Sequence, residues 1–173
     1  MTVLWALVCA WLMTIMGQSL QRPEVPESLR APASEDLVLV AHAEGVQIYA
    51  CVKNQKDEYH WELQGPRAGL FDADKKPIGK HYADAAGTAW ESSDGSKVVG
   101  KKVSGHSVSQ AIPWLLLKSV ENKGSGALGT VRSIQRLHTE GGLEPESACD
   151  EAHAGTRFES PYKADYYFYA PAK

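Results

Sequence analysis

Three residues that could do chemistry stand close together: His81, Trp90 and Glu91, a titratable ring, a flat aromatic and a carboxylate. Gly79 and Gly87 bracket the loop before Trp90. A carboxylate and an imidazole that reach one point could share general acid–base work. An indole beside them offers a flat apolar surface with a polar edge, the material of a sugar or small-molecule site. Two functions are therefore set against each other. One is a non-catalytic binding or surface protein whose ligand is a small molecule or a polysaccharide. The alternative is a small exported hydrolase using Glu91 and His81. Neighbours in a regular strand face opposite sides, so Trp90 and Glu91 share a cleft only at a bulge or a strand end.

Other chemistry finds less support. Asp94 lies near Glu91, but Ser93-Asp94-Gly95-Ser96 gives it the place of a hairpin-turn residue. The sequence has no Gly-x-Ser-x-Gly elbow for a serine nucleophile. His42, His60, His81, His106, His138 and His153 show neither His-x-His nor His-Glu-x-x-His spacing, so no metal is assigned. Asp72 and Asp74 could offer oxygens to calcium, but Lys75 and Lys76 beside them favour a solvated turn. Gly124-Ser125-Gly126-Ala127-Leu128-Gly129 fits G-x-G-x-x-G. That motif binds a dinucleotide only inside a βαβ unit. The chain around it reads as antiparallel strands, so a flexible turn is expected and no cofactor is assigned.

The elements that must hold these residues read as β. Val46, Ile48, Ala50 and Val52 alternate with Gln47, Tyr49 and Cys51, a period of two. Tyr59–Leu63, Ile78–Tyr82, Thr88–Glu91 and Lys97–Lys101 are further short strands with turn signals between them. Ile112–Leu117 is a continuous apolar run, a strand covered on both faces or else a short helix, with Trp114 expected in the core. Val131, Ile134 and Leu137 have helical spacing, which leaves Thr130–Thr139 ambiguous. Tyr162–Tyr169 is an aromatic strand that could close a sheet. The expected fold is all-β: a single-domain antiparallel β-sandwich or barrel with long loops and at most one short helix.

The N-terminus suggests export. Val3 to Met16 is apolar except for Thr14, too short for a comfortable membrane span but suited to a signal peptide. Gly17-Gln18-Ser19 gives a small-x-small cleavage pattern, although no Lys or Arg precedes the apolar run. The expected organisation is a signal over 1–19, a Pro-containing tether over 20–36 and one β domain over 37–173. Cys9 would leave with the signal. Cys51 and Cys149 remain, and an even count in an oxidising compartment suggests a bridge. The protein is expected outside the cell, or in the periplasm of a Gram-negative host. A net charge of -3 gives no basic excess for nucleic acid or an anionic membrane surface.

The order of short blocks resembles a known family. Gly45–Cys51, then Gly79-Lys80-His81-Tyr82 with Trp90-Glu91 and Asp94-Gly95-Ser96, resemble its opening and central blocks. Pro113–Leu117, then Ile134-Gln135-Arg136, Thr139, Gly141-Gly142, Pro145 and Cys149-Asp150, resemble the blocks that follow. Tyr162–Tyr169 is similar to its ending. The family is a secreted one of bacteria and fungi known as domain of unknown function 3455. The resemblance implies export and a compact β domain, and it implies no reaction. Some fungal members carry a malate dehydrogenase label, which the glycine context above does not support. One departure falls at Asp84–Trp90, where the family has Gly-Pro-Thr-Trp and this chain has no proline. The loop before Trp90 is expected to be shaped differently.

Overall fold

The structure, a computed structural model, describes residues 20–172. The expected signal segment, residues 1–19, lies outside the described residues. Eight strands run in chain order: β1 Glu35–Lys53, β2 Tyr59–Phe71, β3 Pro77–Asp84, β4 Gly87–Ser92, β5 Lys97–His106, β6 Trp114–Lys123, β7 Ser133–Gly141 and β8 Arg157–Pro171. Each pairs antiparallel with the next, and β8 pairs with β1. The result is a closed barrel, which decides between the two expected architectures. Two single 3-10 turns, Glu27–Leu29 and Glu151–His153, are the helical pieces among the described residues.

β1 is one long strand that runs through Gly45 without a break. Gly45 sits where β1 and β2 approach so closely that a Cβ would meet the Arg67 carbonyl oxygen. The inner face of β1 is the one carrying Ala41, Ala43, Gln47 and Tyr49, all buried. Val46 and Ile48 face outward, so a polar residue is inside and β-branched residues are outside.

One half of the barrel is packed solid. Leu70, Val98, Leu128, Val131, Ile134 and Phe168 fill it together with small Ala41, Ala43 and Ala164. The turns at that end are built by side-chain acceptors. Asp72 Oδ1 accepts from the Asp74 and Lys76 amides, so this carboxylate closes a turn. Asp94 accepts from the Ser96 amide and hydroxyl and from the Ala127 amide, which holds its carboxyl down at about 2. The β6–β7 loop folds over Asp94, and a Cβ at Gly126 would lie 2.3 Å from its Oδ2. The glycines of the G-x-G-x-x-G match thus serve loop packing between antiparallel strands.

The structure resolves one ambiguity and revises two expectations. Thr130–Thr139 contains no helix; Ser133–Gly141 is strand β7. Ile134 points into the barrel, while Leu137 packs outside on Leu29 and Leu116. Three-residue spacing alternates faces in a strand, and both faces are covered here, so the apolar pattern imitates a helix. The covering comes from the segment read as a tether. Leu29 is fully buried, Val25 packs beside it, and the Leu29 carbonyl accepts from Gln135 Nε2 at 2.7 Å. Arg22 lies 4.9 Å over the Tyr169 ring. Trp114, expected in the core, is half-buried on this outer face.

Candidate functional site in the open half of the barrel

The opposite half of the barrel is not filled. A cavity of about 580 Å³ lies there, within the range of small-molecule sites. Its floor is an aromatic and polar cluster, and its apolar wall includes Ile112, Leu115 and Leu117. The β3–β4 hairpin contributes the centre. His81 and Trp90 are a directly opposed cross-strand pair, so both rings project inward from neighbouring strands. Gly100 on β5 leaves room for the indole; a Cβ there would lie 3.1 Å from it.

His81 is held at both ring nitrogens. Nδ1 lies 2.9 Å from the Ala89 carbonyl oxygen, which can only accept, so Nδ1 carries the proton. Nε2 therefore accepts from the Tyr166 hydroxyl, 2.9 Å away. Burial pulls its pKa from 6.5 to about 3; the Ala89 bond opposes this and the Arg136 charge adds to it. The imidazole is neutral, in one tautomer, with no lone pair left for a substrate. Tyr166 is fully buried, and burial raises its hydroxyl pKa.

Polar groups without partners remain around this floor. The Trp90 Nε1–H and the Nε2 end of the Gln47 amide are buried and make no hydrogen bond. Both residues line the cavity. Arg136, two residues along β7 from Ile134, also lines it and donates from Nε and Nη2 to the Pro113 carbonyl oxygen. Tyr49 donates to the Gly142 carbonyl oxygen at 2.8 Å and ties the β7–β8 connection to the same end.

Glu91 is elsewhere. It projects from the outside of the wall, accepts from the Tyr82 hydroxyl at 2.7 Å and pairs with Lys80 at 3.1 Å. Those two hydrogen bonds, Tyr82 first, hold its carboxyl below the usual range. The structure therefore brings His81 and Trp90 together and puts Glu91 across the wall, as strand alternation requires where no bulge intervenes. Asp84, at the mouth, accepts from the Ala86 amide and from Lys97, which shapes the hairpin turn before Trp90.

The mouth is stapled. Cys51 on β1 and Cys149 in the β7–β8 connection form a disulfide with Cα atoms 5.5 Å apart. Trp61 Nε1 donates to the Ser147 carbonyl oxygen beside it. Ion pairs Lys80–Glu91, Arg67–Glu159 and Lys163–Glu44 lie on the outer wall, where a lipid-spanning barrel carries an apolar band. Among the described residues, no helix is long and apolar enough to cross a membrane.

Arg136, Gln47 and Tyr166 are absent from the sequence-based candidates. The usable signal was period two: Gln47 and Tyr49 share a face, and Arg136 shares one with Ile134. No curated protein and no solved structure matches the chain. One family model matches over residues 32–170, a span that holds β1 to β7, all of β8 but its last residue, both bridged cysteines and the cavity floor. The chain belongs to that family, described as a protein of unknown function (DUF3455).

Proposed function

We propose that this is an exported, non-catalytic binding protein that takes one small ligand into the open half of its barrel. The observation that carries the proposal is the pair of unpartnered polar groups at the cavity floor, Trp90 Nε1–H and the Gln47 amide. A buried donor without a partner costs about 1–3 kcal/mol, and a ligand acceptor removes that cost. Eight-stranded barrels have an interior suited to one small ligand. The disulfide supports an oxidising compartment.

The hydrolase alternative loses its geometry. His81 and Glu91 occupy opposite sides of the wall, and His81 is proton-saturated at Nδ1 and engaged at Nε2. They cannot meet at one substrate atom. A polysaccharide chain also fits less well than a compact ligand, because the unpaired donors lie inside the barrel rather than along its surface.

Native mass spectrometry of protein purified from its own source tests the proposal. The expected result is a mass excess of one small molecule that leaves on denaturation. An empty barrel, with no change in tryptophan emission or melting temperature across a small-metabolite library, overturns it.

A further inference from the structure

Three features of the cavity share one sign. Arg136 forms none of the ion pairs among the described residues. Two of its N–H groups go to the Pro113 carbonyl oxygen, and its guanidinium also lies against the Tyr166 hydroxyl, so no carboxylate meets it. Arg136 lines the cavity, and its charge is felt at His81, Tyr166 and Tyr49, although at Tyr49 the Glu144 carboxylate acts more strongly in the opposite sense. The unpaired indole N–H of Trp90 can only donate. Gln47 adds an amide that can turn its NH₂ toward an acceptor.

The rim carries the same sign. Lys101 and Lys102 border the cavity, and its one bordering carboxylate, Asp84, is already bonded to Lys97. This occurs in a chain whose formal charge is -3. An uncompensated cation in a half-enclosed, low-dielectric space is costly unless an anion joins it.

We infer that the ligand is a small monocarboxylate with an apolar body, its carboxylate seated on Arg136 and its body against Ile112, Leu115 and Leu117. The inference rests on the cavity being the binding site. A planar guanidinium matches a carboxylate in two parallel N–H···O bonds. One half-buried cation in the lining, with two neutral groups beside it, suits a single negative charge rather than a phosphate dianion. Tyr166 contributes position rather than a proton, since its hydroxyl is committed to His81.

The test compares octanoate with octanamide, and phenylacetate with phenylacetamide, on the whole protein by calorimetry and tryptophan emission. Each carboxylate should bind at least ten-fold tighter than its amide. Arg136→Met should weaken the carboxylates ten-fold or more and the amides less than two-fold, while Arg136→Lys keeps part of the preference. Equal binding of acid and amide overturns the anionic ligand and leaves the cavity reading standing. A preference that survives in Arg136→Met overturns the role of Arg136. Binding of neither member up to millimolar concentration overturns the inference and counts against the cavity as well. The wild-type comparison decides the matter even if Arg136→Met fails to fold.

Discussion

The His81 imidazole lies flat on the Trp90 indole, centroids 4.5 Å apart and planes 16° from parallel. Tyr166 meets both rings, at 4.8 Å from His81 and 5.3 Å from Trp90. A stacked pair from adjacent strands forms a platform at mid-barrel, with packed side chains on one side and open space on the other. A neutral imidazole suits this packing, since a charged ring buried here would lack a counter-ion.

That neutrality makes stability depend on pH. The folded-state pKa of His81 is lowered, so the unfolded chain binds the proton more readily. Stability from this group is complete above pH 6.5 and falls as pH drops toward about 3. The slope should be about 1.4 kcal/mol per pH unit, from one proton. Urea unfolding of wild type and His81→Gln at pH 7.5, 5.5 and 4.5 measures it. The variant should be less stable by about 1–3 kcal/mol at pH 7.5, from the altered Tyr166 bond. It should also lack the His81 share of the slope. Parallel curves for the two proteins would count against a buried neutral imidazole.

Leu29 should behave as a core residue although it lies outside the barrel. Leu29→Ala is expected to cost about 2–5 kcal/mol in chemical denaturation, the range for a filled apolar site. A change below about 0.5 kcal/mol would mean that the segment before β1 does not hold the wall.

Removing the Cys51–Cys149 bridge opens a loop of sequence separation 98. The double change of both cysteines to Ser should lower stability by about 2–5 kcal/mol. It should also raise amide exchange across the β7–β8 connection more than in β4. Uniform exchange at both places would show that the connection is held without the staple.

Glu91→Gln tests the separation of the two faces. Its ion pair with Lys80 is surface-placed, so the expected loss is under about 1 kcal/mol. Ligand retention should stay at the wild-type level. A several-fold loss of binding with unchanged melting temperature would mean that Glu91 reaches the ligand.

Where local chemistry suffices, the sequence was informative. Asp94-Gly95 makes its hairpin because only a few residue types tolerate that turn, and Tyr162–Tyr169 does complete a sheet. Cys51 and Cys149 could be paired by count. The failures came from long-range covering. Leu29 looked like part of a tether because the surface it covers is made by residues a hundred positions away. Leu137 imitated a helix for the same reason. Trp114 lies on the outer face instead of in the core, since an indole's burial depends on what lies across the wall. Arg136 stood in the family block Ile134-Gln135-Arg136 with no chemistry attached to it; its meaning comes from lacking a carboxylate in three dimensions.

The seam between β1 and β8 joins strands of 19 and 15 residues from the two ends of the domain. Closing it requires nearly the whole chain to be in place, so this pairing carries the largest loop-closure cost in the fold. Every partly formed barrel therefore shows two long unpaired edges, each able to recruit another copy. Once the seam forms, those edges vanish. The finished barrel keeps unpaired edge stretches near its open end, among them residues 59–65 of β2 and 101–106 of β5, so a visiting peptide among the described residues would find its strand edge there.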